Sequence, residues 1–343
     1  MKSEIYISTI KQISAQQPLV DDWFEQPVLY SEPYVRALEP DYKQYFTPNE
    51  ARRFGKILKR ALLVSREAMK ESGIPEAIIT GTGLGCIENT EIFLEKLVRE
   101  GEELLNPTHF MQSTHNTISS LIAIDSKCHA YNTTYAHKGV SFECALQDAF
   151  LQMKSGKIKT ALVGAHDEMT PVYFTLLKKA GYLGKPNQTF AGETAVAMIL
   201  STAKTETALC KIEMLEKIYT GACHCGFNPQ SPEIMKLQIN SKMTDIDYIM
   251  VGTNGVEEND KIYYENCARL FPNIPLLQYK NIFGESYTAS ALGVYVAAVC
   301  LKNGEIPKLV YVTDEKKSPL RKILCYNHFE DKNHTFVLLS KES

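Results

Sequence analysis

Apolar and polar residues alternate through EIYISTIKQIS, Glu4 to Ser14, which predicts a strand. The period then changes: in NEARRFGKILKRALLVSREAMKESGI, the residues Phe54, Ile57, Leu58, Ala61, Leu62 and Ser65 fall on one helical face, and Gly73 and Pro75 end the helix. AIITGTGLG reads as an apolar strand running into a glycine turn, and ENTEIFLEKLVREG as the helix after it. HNTISSLIAIDSKC is a further helix, with Asn116 and Thr117 as candidate caps. From Thr133 to Gly156, TTYAHKGVSFECALQDAFLQMKSG pairs a short strand with an amphipathic helix across a sharp turn at Lys138-Gly139-Val140. ALVGAHDE and AVAMILS are strands. Strands alternating with helices of this length predict a parallel, helix-covered sheet, hence an α/β fold.

One unit of this pattern recurs. The helix ending at KSGKIKTALV (Lys154 to Val163) matches TASALGVYVAAVCL running into KNGEIPKLVYV (Lys302 to Val312): a helix, a Lys-polar-Gly-charged-Ile turn, then a strand. Each half closes on an apolar strand, AVAMILS or TFVLLS. Two copies of one α/β unit would meet in the polar STAKTETALCK, giving halves 1–205 and 206–343.

Composition removes several function classes. The 343 residues are 44% hydrophobic and 22% charged, ordinary globular usage with core enough for two fused halves. A formal charge of -3 and a pI near 6.3 give no basic excess for nucleic acid. The charged N-terminus lacks an apolar leader core, and no apolar run approaches the roughly 18 residues of a membrane span, so a cytoplasmic location is expected, with no membrane partner. Nine cysteines, an odd number, suit reduced thiols in the core, Cys144 among them.

Motifs that could carry chemistry are few. GTGLGC (Gly81 to Cys86) follows a strand as a dinucleotide loop would, but Cys86 stands at the third glycine, so a tight turn is expected and no cofactor. Cys-His-Cys at Cys223 to Cys225 has no second ligand pair nearby, so no metal is expected. His115, His129, His137 and His166 cluster in sequence, which by itself makes no triad.

These landmarks together resemble the β-ketoacyl synthases of the thiolase superfamily over nearly the whole chain. The resemblance rests on EARRFGKILKRALLVSREAMKESGI, GTGLGC, PTHFMQSTHNTISSLIAI, ALVGAHDE and FAGETAVAMILS, and in the second half on VGTNGVEEND and KNIFGESYTASALGVYVAAVCL, all in family order. It implies an αβαβα five-layer sandwich of two similar halves and a family activity of β-ketoacyl-acyl carrier protein synthase, an acyltransferase. Such an enzyme needs a thiolate at a strand-to-helix turn, two histidines for malonyl decarboxylation and backbone N–H groups for the oxyanion.

Here the family's catalytic positions hold other residues. Counted from Ala130 or back from Gly156, the cysteine position falls on Gly139; the histidine positions fall on Gly252 and Glu285, while Lys280 matches the family lysine. In place of the glycine-rich oxyanion loop stands CYNHFEDKNHTF, where only Asn327 and Phe329 resemble the family and Glu330, Asp331 and Lys332 replace glycines. The resemblance therefore implies a catalytically silent, chain-length-factor-like subunit without catalytic residues of its own. Its implied partners are an active ketosynthase, joined through the strand NTTYAH, and an acyl carrier protein, in polyketide, polyene or fatty-acid-type elongation. Two alternatives stand beside it: an active acyltransferase with a rearranged site using Cys128, Ser141 or Glu285, and a homodimeric acyl-binding scaffold. Arg52, Arg53, Lys56, Lys59 and Arg60 form a basic patch that would suit carrier docking or would be a solvated helix face.

Overall fold

The computed structural model describes residues 4–102, 105, 107–221, 245–313 and 319–342. Its ten strands are β1 (Tyr6–Ile13), β2 (Ala77–Gly81), β3 (Tyr131–Tyr135), β4 (Thr160–Asp167), β5 (Thr194–Ser201), β6 (Cys210–Tyr219), β7 (Tyr248–Val251), β8 (Leu276–Gln278), β9 (Lys322–Phe329) and β10 (Asn333–Ser340). They follow the order β3-β2-β4-β5-β1-β6-β10-β9-β7-β8. Read outward from the centre, the second five strands repeat the arrangement of the first five. In both, the second strand pairs parallel with the third and fourth, and the fifth runs antiparallel between the fourth and first. The halves meet edge to edge in the short antiparallel pairing Tyr6↔Lys211 and Ile7↔Cys210.

The expected parallel sheet is thus mixed, for a reason visible in the connections. Helices α3 (Ile87–Glu100), α4 (Pro107–Ser113) and α5 (Thr117–Ser126) join β2 to β3, and α6 (Ser141–Lys154) joins β3 to β4; both crossovers return parallel strands. Between β4 and β5 stands α7 (Pro171–Lys179), which has no buried residue and covers no sheet face, and β5 runs back antiparallel.

Strand alternation divides the core into layers. Ile78, Leu162, Ala197 and Ile199 face outward against α2 (Lys56–Met69) and α5, while their neighbours Ile79, Val163, Met198 and Leu200 face inward onto α6 and α10 (Ser290–Asn303). In the second half Ile249, Leu324 and Phe336 pack on α8 (Glu257–Leu270), and Met250, Ile323, Cys325 and Val337 face the central helices, with the short α9 (Lys280–Phe283) between β8 and α10. The result is α2/α5, sheet, α6/α10, sheet, α8: an αβαβα five-layer sandwich of two similar halves. The central helix α10 is apolar on every side, with eleven buried residues from Ala291 to Leu301, as a helix enclosed between two sheets must be.

Four sequence expectations change. The helix expected from Asn49 onward is two: α1 (Pro48–Arg53), closed at its start by a Thr47/Glu50 capping box, then an extended Phe54 and Gly55 before α2. The repeat holds through α10 and its left-handed Gly304, but Lys308–Val310 is a 3-10 turn, and the strand matching β4 is β9, which starts at Lys322. Where a loop was expected in CYNHFEDKNHTF, β9 and β10 form a hairpin closed by Lys332 N–H to Phe329 O, with Glu330 and Asp331 both at positive φ. Asn116 stands at the start of α5 but its side chain makes no capping bond. Among the described residues no helix is long and apolar enough to cross a membrane.

Candidate functional site

The turn at Lys138-Gly139-Val140 joins edge strand β3 to α6. Lys138 takes φ 47, and Ser141 locks the turn by accepting from His137 N–H at 2.7 Å and donating to Lys138 O at 2.8 Å. The O–H of the buried Ser141 is therefore committed to a backbone carbonyl and not to a general base, which leaves it unsuited to attack an acyl group.

What faces Gly139 is a ring. A Cβ at this position would lie 2.3 Å from Phe329 Cδ2, so a side chain here requires that the ring be displaced. The neighbouring Asn327 spans to the turn, its amide donating to Gly139 O at 3.4 Å and to Glu143 Oε1 at 2.5 Å, while its own Oδ1 accepts from Tyr263 OH at 2.9 Å. That tyrosine also fills the next position: a Cβ on Gly252 would lie 2.5 Å from Tyr263 OH and 3.2 Å from Asn327 Oδ1.

Beyond Gly252 the loop VGTNG is held by Asp260, which accepts from Asn254 N–H at 2.8 Å and Gly255 N–H at 2.9 Å. Asn254 in turn donates to Glu285 Oε2 at 2.8 Å, the same oxygen that pairs with Lys280 Nζ at 2.8 Å. Gly139, Gly252 and the Lys280–Glu285 pair, far apart in sequence, thus lie along one connected run of contacts, together with Asn327 and Phe329. A carboxylate that already takes two strong donors on one oxygen is a poor base for an incoming substrate.

The remaining candidates lie elsewhere. Cys128 is buried, its Sγ donating to Pro75 O at 3.4 Å before β3 begins. The five residues of β3 put roughly 17 Å between it and the turn. Cys144 is half-buried rather than core, because it lies on the α6 face toward β6, where Lys217 Nζ is 2.9 Å from its Sγ. The other five described cysteines are buried, and none of the seven is in a disulfide. His137 joins the turn only through its backbone N–H, and His166 is fully buried with neither ring nitrogen bonded, its pKa pushed down to about 3 by burial. The Gly81–Cys86 turn spends its amides on the protein itself: Asp167 Oδ1 accepts from Gly83 N–H, Leu84 N–H and Thr82 Oγ1 at 2.8, 2.9 and 3.1 Å. Cys223 to Cys225 lie outside the described residues. Among those described, no group of three or more His, Cys, Asp or Glu side chains could hold a metal.

The basic patch is also redrawn. Arg52 and Arg53 are exposed and Lys56 and Lys59 half-buried, but Arg60 is 1% exposed, bonded to Glu39 at 2.5 Å and Glu193 at 2.9 Å. Arg60 occupies the buried face of α2, between Ile57 and Leu63, and cannot receive a partner.

Two residues were not singled out in the sequence. Glu143 reads as an ordinary first-turn carboxylate, yet it is 2% exposed, and burial raises its pKa. Tyr263 reads as one more aromatic on a helix, yet it touches Gly252, Asn327 and His328. No local signal marks either, because each is defined by a neighbour from another element.

With this geometry in place, comparison with known proteins is direct. The family model described as beta-ketoacyl synthase, N-terminal domain, matches residues 33–244. No curated protein matches in sequence. Similar solved structures include the ishigamide ketosynthase/chain length factor, with TM-score 0.78, 16% identity and full coverage of both chains. Another is the ketosynthase ApeO in complex with its chain length factor ApeC from Xenorhabdus doucetiae, with TM-score 0.77, 15% identity and coverage of 99% and 98%. A third is a type II PKS acyl-carrier protein in complex with its ketosynthase bound to the hexaketide, AntDE:AntF, with TM-score 0.79, 12% identity and full coverage of both chains. At these identities the likeness is one of fold.

Proposed function

Because the chain belongs to the beta-ketoacyl synthase family, we propose that it is a catalytically silent, chain-length-factor-like subunit that completes an active ketosynthase during polyketide, polyene or fatty-acid-type elongation. Gly139, Gly252 and Glu285 are then the positions where the family's nucleophile and histidines would stand, with Lys280 retained. The observation that carries this reading is the Phe329 ring against Gly139: the space a nucleophile's side chain needs is taken by the protein itself. Tyr263 and Asn327 against Gly252 support it in the same way.

The partner is an active ketosynthase, met in the cytoplasm through edge strand β3. Among the described residues that strand pairs only with β2, so its outer backbone groups face away from the sheet, and the adjoining surface carries Ile124 at 73% and Tyr131 at 42% exposure. An acyl carrier protein would deliver substrate to the pair. The two halves meet at residues 205/206, between β5 and β6.

Co-expression with candidate ketosynthases tests the reading. A stable 1:1 complex is expected, lost in Ile124→Glu, whose charge would be buried in the interface while the free subunit folds normally. The isolated chain is expected to take no covalent adduct from an acyl thioester by intact-mass measurement and to condense nothing. Condensation by the pure chain would refute silence, and a persistent homodimer beside every ketosynthase would favour a scaffold instead.

A further inference from the structure

Of the seven described cysteines, Cys144 alone is not buried. Its Sγ lies 2.9 Å from Lys217 Nζ, whereas Cys128 and Cys325 turn their thiols to the backbone carbonyls of Pro75 and Gly293. The pair joins distant parts of the chain: Cys144 stands in the first turn of α6, and Lys217 lies on β6, opposite Thr335 of β10. Lys217 is half-buried, and the hydrogen bond it makes among the described residues is to this sulfur. Asp148, one turn further along α6, is already bonded by Tyr131 OH at 3.0 Å, Tyr135 OH at 3.1 Å and Gln152 Nε2 at 2.8 Å, so it does not draw the ammonium away. A thiol is a weak acceptor. What the contact does is hold an amine nitrogen against a sulfur that a small reagent can reach.

We infer that Cys144 and Lys217 form an oxidative modification site, in which a hydroperoxide converts the thiol to a sulfenic acid and Lys217 captures it as a sulfur–nitrogen cross-link. In the first step the Cys144 sulfur, its proton lost, attacks one peroxide oxygen; the O–O bond breaks, S–OH forms, and the second oxygen leaves as water with that proton. Sulfur is oxidised by two electrons and the peroxide is reduced. Lys217, after giving one proton to solvent, attacks the same sulfur through its nitrogen. The S–O bond breaks, and the departing hydroxide takes a second proton from nitrogen and leaves as water. Sulfenic acids condense with a nitrogen in this way when one lies within reach. The flexible four-carbon stem of Lys217 supplies the remaining approach. The product ties α6, which follows the Gly139 turn, to β6, and so the first half of the chain to the second.

Peptide mapping of the reduced full chain after hydrogen peroxide treatment tests this. Expected is a linked peptide pair carrying Cys144 and Lys217, lighter than the two peptides together by two hydrogens and separated again by dithiothreitol. Mapping is required because a disulfide elsewhere would remove the same two hydrogens. Lys217→Arg keeps a cation beside the sulfur but has no amine to condense, so Cys144 should there be trapped by dimedone as the sulfenic acid. An unreacted Cys144, a wild-type Cys144 that runs on to sulfinic acid without the link, or a link that retains an oxygen atom between nitrogen and sulfur would each overturn the inference.

Discussion

Replacing Gly139 by alanine is the sharpest perturbation the structure offers, because it adds one methyl group where a ring already stands. The added carbon would lie 2.3 Å from Phe329 Cδ2 and 2.9 Å from Cε2, inside contact distance at both. Relief requires the ring to retreat by roughly 1 Å to an ordinary carbon–carbon separation. Phe329 is half-buried at the end of β9, so relief means swinging its ring out of the contact with the turn. Overpacking of this kind costs about 1–3 kcal/mol. The argument is specific enough for a double-mutant cycle measured by urea unfolding. Gly139→Ala and Phe329→Ala should each destabilise alone, while the pair should cost at least about 1 kcal/mol less than their sum, because truncating the ring removes the clash. A neutral Gly139→Ala, or strict additivity, would show that the ring does not fill this position, and the main support for a silent site would fall with it.

Other outcomes follow from the buried charges. Arg60→Met should destabilise by about 3–5 kcal/mol in denaturant unfolding, because it leaves Glu39 and Glu193 facing each other without their shared cation. Lys280→Met should cost less, about 2–3 kcal/mol by the same assay, since Asn254 still donates to Glu285 and the carboxylate keeps some exposure. Burial pushes the Glu168 carboxyl up to about 8, with the Glu88 N–H opposing the rise. Below about pH 4.5 the folded and unfolded chains both hold this proton; between there and pH 8 only the folded chain does. Stability should therefore fall as pH rises through that window, by a few kcal/mol at most, and Glu168→Gln should flatten the slope in a pH series of unfolding midpoints.

How much of this was legible in the sequence depends on how far each feature reaches. The alternation of β1, the amphipathic face of α2 and the strand-to-helix turn at Gly139 are written in neighbouring residues, and the sequence reading placed them correctly. The fold class followed because those elements recur in one order. The break at Phe54 and Gly55 was present as a glycine but lost beneath an apolar spacing that continues across it. Arg60 looked like a solvent-facing cation because its acidic partners come from 21 and 133 positions away, and only the folded chain brings Glu39 and Glu193 to it. The hairpin was missed for a different reason: tight turns with two positive φ residues usually announce themselves with Asn or Gly, and Glu330-Asp331 carries neither.

That last omission bears on function. With a glycine-rich segment in mind, CYNHFEDKNHTF reads as a loop that has lost its flexibility, a passive deficiency. In the structure it is a strand hairpin in full register from Phe329↔Asn333 to Lys322↔Ser340, and its side chains are what occupy the site. Phe329 closes on Gly139, and Asn327 links the turn to Glu143 and Tyr263. Gly139, Gly252 and the ordered hairpin are then one packing unit: the space beside each glycine is filled from β9 and α8. A thiol introduced alone, as in Gly139→Cys, would collide with that packing before it could serve as a nucleophile.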